Sequence, residues 1–142
     1  MKIFTNEAIK KIDRETIANE GITELELMER AASAVTYEIM SRWRTNKRII
    51  IFAGPGNNGG DALAVSRMLA DRGYDISVFL FNTKGKLSED CAENKKRALE
   101  NGNIKHFIEV TKEFDPPALT EDTVVIDGLF GTGLGREVTG RY

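Results

Sequence analysis

The sequence holds one cysteine, one histidine and three prolines in 142 residues, and no long apolar run. Cys91 alone cannot close an internal disulfide, and with His106 as the sole histidine the two cannot make up a zinc site. Nucleophilic catalysis by a Cys–His or Ser–His pair would have to recruit His106, which has no neighbouring signal for that role. No stretch approaches the roughly 18 apolar residues of a membrane span, and the start of the chain lacks the apolar core of a signal peptide. An excess of one charge is lacking too. The 20 basic and 22 acidic residues leave a net charge of −2, so no global field draws the chain to nucleic acid or to an anionic membrane. There is neither an internal repeat nor a low-complexity segment. What is present is 41% hydrophobic and 30% charged, a balance that excludes a disordered tail or a collagen-like repeat. It predicts one soluble, cytoplasmic domain of ordinary size.

Two helical patterns come first. Over 7–19, Ala8, Ile9, Ile12 and Ile17 recur at helical spacing, with Thr5 or Asn6 as a cap and Gly21 as a stop. Thr23 opens a second helix running to about Arg44, with Glu26 as its capping-box partner. Leu25, Met28, Ala31 or Ala32, Val35, Ile39 and Trp43 form its apolar stripe, which is read as core or as a subunit contact.

From 48 the pattern changes. RIIIFA (48–53) is a continuous apolar run suited to a parallel strand covered on both faces. The glycine-rich GPGNNGG follows, then a helix carrying Leu63, Val65, Met68 and Leu69 that stops near Gly73. Residues 76–81 read as a strand, 82–87 as a loop, 88–99 as a polar helix ending at Asn101–Gly102, and 105–110 as a short strand. Asp115, Pro116 and Pro117 break the chain before a buried strand over 123–126, which runs through Asp127 into a second glycine-rich turn, 131–135. Strands alternating with helices predict an α/β fold with a parallel sheet wound by helices. Because such sheets continue past a turn of this kind, the chain reads as part of a longer protein.

The first glycine turn, 54–61, leaves a strand and enters a helix, the place where open α/β sheets bind ligands. Glycines let a ligand approach the backbone, and the helix start turns its N–H groups toward an anion such as pyrophosphate. The plainer reading is a tight turn with no ligand. Gly54, Gly56 and Gly59 match the dinucleotide fingerprint by spacing, yet the acidic residue that should end the next strand is missing: that strand ends Phe81–Asn82. No Gly-Lys-Ser/Thr follows, so a Walker phosphate loop fails as well. Asn57 and Asn58 bring amide groups for a polar ligand or a cation. Asp61 begins the helix, where its carboxylate either binds or only complements the helix dipole.

Asp127 emerges at the same edge, ahead of Gly128-Leu129-Phe130-Gly131-Thr132-Gly133-Leu134-Gly135. If the two strands are close neighbours, Asn58 and Asp127 meet across the crevice. Amide, carboxylate and carbonyl oxygens suit a hard cation, and a single carboxylate suits a monovalent one such as potassium. The alternative is that Asp127 merely caps a loop.

Taken together, GPGNNGGDALAVSRML (54–69) and VIDGLFGTGLGRE (125–137) resemble the NAD(P)H-hydrate epimerase family, the YjeF N-terminal domain. Asp13, Thr16, Gly21 and Leu27-Met28-Glu29-Arg30-Ala31 look like that family's opening helices, so the resemblance covers essentially the whole chain. It implies a three-layer α/β/α Rossmann-like sandwich, preceded here by two N-terminal helices. The implied activity is interconversion of the S and R epimers of NADHX and NADPHX, the hydrated forms of the reduced cofactors. By resemblance, substrate contacts fall to Asn57, Asn58, Gly59, Gly60 and Asp61 in the first turn. In the second they fall to Gly131, Thr132, Gly133, Leu134, Gly135, Arg136 and Glu137. Asn58 and Asp127 would hold potassium, and the active unit would be a homodimer. Asp61 is the candidate proton donor that helps the C6 hydroxyl leave. The ring nitrogen then stabilises an iminium, to which water returns from either face.

The sequence departs from the family in two places. Ala62 stands where many members have glycine, which a helix tolerates. The family's later Ile-Asp-x-Pro-Ser-Gly-like segment, with a further substrate aspartate and a potassium-binding serine, is not in this sequence, nor is the ADP- or ATP-dependent dehydratase domain fused in many bacterial members. Two other readings compete. A dinucleotide-dependent oxidoreductase lacks its ribose-binding acid. A non-catalytic nucleotide-binding or dimerisation scaffold would be expected to lose Asn57, Asn58, Asp61 and Asp127, which are all retained.

Overall fold

The structure, a computed structural model, describes residues 2–5 and 23–129. Five strands form one sheet: β1 (Lys2–Thr5), β2 (Arg48–Ala53), β3 (Asp75–Phe81), β4 (His106–Val110) and β5 (Thr123–Gly128). Three helices, α1 (Glu24–Arg42), α2 (Asn57–Asp71) and α3 (Glu89–Asn101), accompany them. The strand order is β1-β5-β2-β3-β4, and every pairing is parallel. From β2 the chain steps outward to β3 and β4, then returns past its starting point to place β5 on the other side of β2. The strand order therefore reverses between β2 and β5, which is where open α/β sheets take ligands.

Both faces of the sheet are apolar, as the unbroken runs in β2 and β3 require. On the helical face, Ile49, Ile51, Val78, Leu80, Val124 and Ile126 pack under Ala31, Ala32, Val35 and Ile39 of α1 and Leu63 and Leu69 of α2. Small residues at the α1 contact let the helix lie close. On the opposite face Ile50, Phe79, Phe81 and Val110 form a second cluster with Phe52, Phe114 and Leu129. Phe114 sits edge-on to Phe52, Phe79 and Phe81, with ring centroids 6.1, 5.6 and 4.9 Å away. All three described helices lie on one face. The helix expected over 7–19 falls outside the described residues.

Several elements differ from the sequence reading. The strand β1 was not anticipated, because four residues carry too little periodicity to register; the open edge of β5 supplies its partner, pairing Ile3 with Val125. Helix α1 ends at Arg42 rather than Arg44, and Leu27 and Thr36 are buried on it while Leu25 is only half-buried. Most of its stripe packs within the chain's own core. The cap holds: Thr23 Oγ1 accepts from the Glu26 N–H at 3.1 Å. Thr23→Ala is expected to lose about 1 kcal/mol of stability, read as a lower urea midpoint at unchanged m-value.

The largest shift concerns α2. It begins at Asn57, with Gly56 as the cap, so the Asn-Asn-Gly-Gly run is the first turn of the helix rather than a loop before it. Two glycines disfavour helix by about 1 kcal/mol each, and tertiary contact overrides that preference. Gly60 lies against the start of α3, where a β-carbon would come within 3.3 Å of the Cys91 backbone. Glu29 of α1 ties the three helices together through ion pairs with Arg67 of α2 and, at 3.3 Å, Arg97 of α3.

Candidate functional site

The site is built where β2 and β5 end. Register pairs Phe52 with Asp127 and Ala53 with Gly128, and the Gly54 N–H donates to the Gly128 carbonyl at 3.0 Å. The turns after the two strands therefore touch, as their expected convergence requires. Their glycines are there for contact rather than unusual dihedrals. A β-carbon on Gly54 would lie 2.8 Å from the Leu129 carbonyl oxygen; one on Gly59 would overlap the Gly54 carbonyl, 2.7 Å from its carbon. Neither position has a positive φ.

Because α2 starts at Asn57, the N–H groups of its first turn lack carbonyl partners within the helix, and the partial positive charge of the dipole sits at the crevice. Asn57 is exposed and Asn58 half-buried; Gly59, Gly60 and Asp61 are buried. Asp61 follows Asn57 by four positions and Asn58 by three, so the three share a face of the helix. Helical side chains lean toward the N-terminus, which directs the Asp61 carboxylate back toward the turn. It sits in the second turn of α2, not at its start, and is 1% exposed. A carboxylate withdrawn from water at a ligand edge is a feature of working sites. Asp127 is half-buried, and its Oδ1 accepts from the Leu129 N–H at 2.9 Å, which both turns the chain after β5 and orients the carboxylate. Strand alternation puts its side chain on the Phe52 face, opposite the face that α2 covers. Gly131, Thr132, Gly133, Leu134, Gly135, Arg136 and Glu137 lie outside the described residues.

Two supports of the turn escaped the sequence reading. The Ser88 N–H donates to the Pro55 carbonyl at 2.8 Å, and Ser88 Oγ also caps α3 by accepting from the Cys91 N–H at 3.1 Å. Ser88 before an acidic first turn is a recognisable cap, but nothing local tells that its backbone braces a turn more than 30 residues earlier. Cys91, at the start of α3, lies against the first turn, its Sγ 3.6 Å from the Gly54 oxygen. Burial first, and then the charge of Glu109, push its thiol up to about 11, so it stays protonated near neutral pH and serves as packing rather than as a nucleophile. His106, exposed at the start of β4, is remote from the chemistry in the same way the sequence suggested.

A parallel sheet with a glycine-built helix start and an acid-bearing turn on either side of its reversal point defines a Rossmann-like α/β domain of the ligand-binding kind. Its family is narrower. The sequence model of the YjeF-related protein N-terminus matches residues 24–142, and the chain belongs to that family. It is 33% identical to the NAD(P)H-hydrate epimerase of Rhodobacter capsulatus over 98% of this chain and 66% of that protein. It is 34% identical to that of Limosilactobacillus reuteri over 99% and 64%. Against the bifunctional NAD(P)H-hydrate repair enzyme Nnr of Thermofilum pendens the identity is 37%, over 100% of this chain and 27% of that one. The chain thus spans less than two thirds of the length of these relatives. The crystal structure of yeast ynu0, YNL200c, shares the fold at a TM-score of 0.57 and 25% identity, across 98% of this chain and 60% of that one.

Proposed function

We propose that residues 1–142 form part of an NAD(P)H-hydrate epimerase domain, an isomerase that interconverts the S and R forms of NADHX and NADPHX in nicotinamide nucleotide repair. The observation that carries this reading is the buried Asp61 carboxylate behind an Asn-Asn-Gly-Gly helix start, at the point where the strand order reverses. The names of the relatives support the substrate, and the name of the bifunctional ones supports fusion to a second repair activity, the dehydratase, in the whole protein.

In this reading the first-turn amides of α2 hold the pyrophosphate, and Asn57 and Asn58 orient the nucleotide. Asp61 lends a proton to the C6 hydroxyl of the hydrate. The C–O bond breaks with its electron pair leaving as water, and the nitrogen lone pair forms the iminium. Addition of water to either face, with the proton returned to Asp61, yields the other epimer without net oxidation or reduction. The residues from Gly131 to Glu137 would add further contacts to the substrate. A homodimer belongs to the same proposal.

The donors at the strand tips fit a potassium ion. They are an amide oxygen of Asn58, shielded from solvent, the Asp127 carboxylate and turn carbonyls. Among the described residues no group of three or more His, Cys, Asp or Glu gathers as a transition-metal or divalent site would need. Asn58 and Asp127 would hold the ion, which supplies a fixed positive charge beside the nucleotide. Exchanging potassium for the bulky N-methylglucamine cation is expected to lower the thermal midpoint, by roughly 1.4 kcal/mol of stability at ten times Kd. Asp127→Ala should abolish that response; a parent chain indifferent to potassium would remove the ion from the site. The function itself is tested by following S/R equilibration of NADHX with the chain, against the uncatalysed rate.

A further inference from the structure

The acid that ordinarily ends the second strand of a dinucleotide fold accepts a hydrogen bond from the adenosine ribose, and its carboxylate repels a 2′-phosphate. At that position, just past the last residue of β3, stands Asn82, which is buried and committed elsewhere: its Nδ2 donates to Glu109 Oε2 at 2.8 Å. Glu109, on the neighbouring β4, also receives Lys95 Nζ at 2.6 Å. These two contacts, Asn82 first, hold its carboxyl below the usual glutamate range. The carboxylate nearest the strand end is therefore already compensated by an amide and an ammonium group. Beyond Asn82 the chain turns at Gly85, with φ +69° and its N–H donating to the Asn82 carbonyl at 3.3 Å. The turn leaves Lys84 and Lys86 exposed, and neither enters an ion pair among the described residues. The Ser88–Pro55 hydrogen bond then anchors this loop beside the glycine turn. The nearest acids along the chain, Glu89 and Asp90, lie in the first turn of α3, where they complement its dipole.

We infer that the 82–87 loop is the specificity element for the adenosine end of the ligand: Lys84 and Lys86 receive a 2′-phosphate, so that the site prefers the phosphorylated hydrate, NADPHX, to NADHX. The inference rests on the epimerase reading, which puts the pyrophosphate at the start of α2; the geometry of dinucleotide folds then sets the adenosine ribose at the tip of β3.

Calorimetric titration of the chain at low salt with adenosine 2′,5′-bisphosphate and with 5′-AMP, which differ only in the 2′-phosphate, tests it. The bisphosphate is expected to bind about 10-fold tighter, because two ammonium groups meet a doubly charged phosphate. The Lys84→Gln/Lys86→Gln variant should lose that margin and keep its affinity for 5′-AMP. Equal binding of the two nucleotides to the parent chain, or a margin that survives in the variant, overturns the inference and leaves the epimerase reading intact. Failure of both nucleotides to bind defeats the placement of the nucleotide, and the inference with it.

Discussion

Gly59→Ala is expected to cost this protein about 3 kcal/mol of stability or more, seen as a large fall in the urea midpoint or as a chain that no longer folds cooperatively. Overpacking commonly costs 1–3 kcal/mol where neighbours can yield, and here they cannot. The added carbon would intrude on the Gly54 carbonyl, which is backbone. Gly54 is itself locked, since its N–H is bonded to Gly128 and its own Cα faces the Leu129 carbonyl. Relief would require the turn after β2 to leave the turn after β5, which would open the crevice that the ligand needs. Gly56→Ala is the control. It has no atom within 4 Å of a new β-carbon, and its φ of −93° is ordinary, so its effect should stay below about 1 kcal/mol. If Gly59→Ala unfolds at the midpoint of the parent, the close approach of Gly59 to the Gly54 carbonyl is wrong.

Asp61→Asn is expected to slow S/R equilibration of NADHX by about 10²- to 10⁴-fold, the span that a positioned proton donor commonly contributes. Asparagine keeps the shape of the side chain and its capacity to accept a hydrogen bond, but cannot deliver the proton. Stability separates this from a structural role. If the carboxylate serves only to complement the α2 dipole, the substitution shifts the unfolding midpoint modestly and leaves the rate alone. If it is the acid, the rate falls while the fold holds. An unchanged rate removes Asp61 from the chemistry and returns the role to another residue.

Much of the architecture was legible because its causes are local. Three apolar strands of β-branched residues, a polar helix with Ser88 ahead of it and Gly102 in the left-handed region behind it, and Thr23 at the head of α1 each carry their signal within a few residues. The candidate site was legible to the same depth: the types and spacing of Asn57, Asn58, Asp61 and Asp127 singled them out before any contact was known. The start of α2 was misread because Gly59 and Gly60 argue against helix on propensity alone, and the neighbours that hold them there are distant in sequence. The contact of Cys91 was not legible for the same reason; thirty-seven positions separate it from the Gly54 oxygen it touches. Similarly, Asn82 reads locally as a missing acid, whereas in the folded chain it organises Glu109 and Lys95 around itself.

Strand and helix identity, the turn chemistry and the choice of polar groups at the strand ends follow from the order of residues along the chain, since periodicity and capping act over one or two turns. The neighbour relations do not. That β5 inserts beside β2, that β1 finds the edge beyond it, and that α3 presses on Gly60 depend on how whole apolar faces are covered at once. Burial is a property of surfaces brought together, and no short window of sequence contains it. The crevice between the two turns belongs to this second class, although Asn57, Asn58, Asp61 and Asp127 were visible in the first.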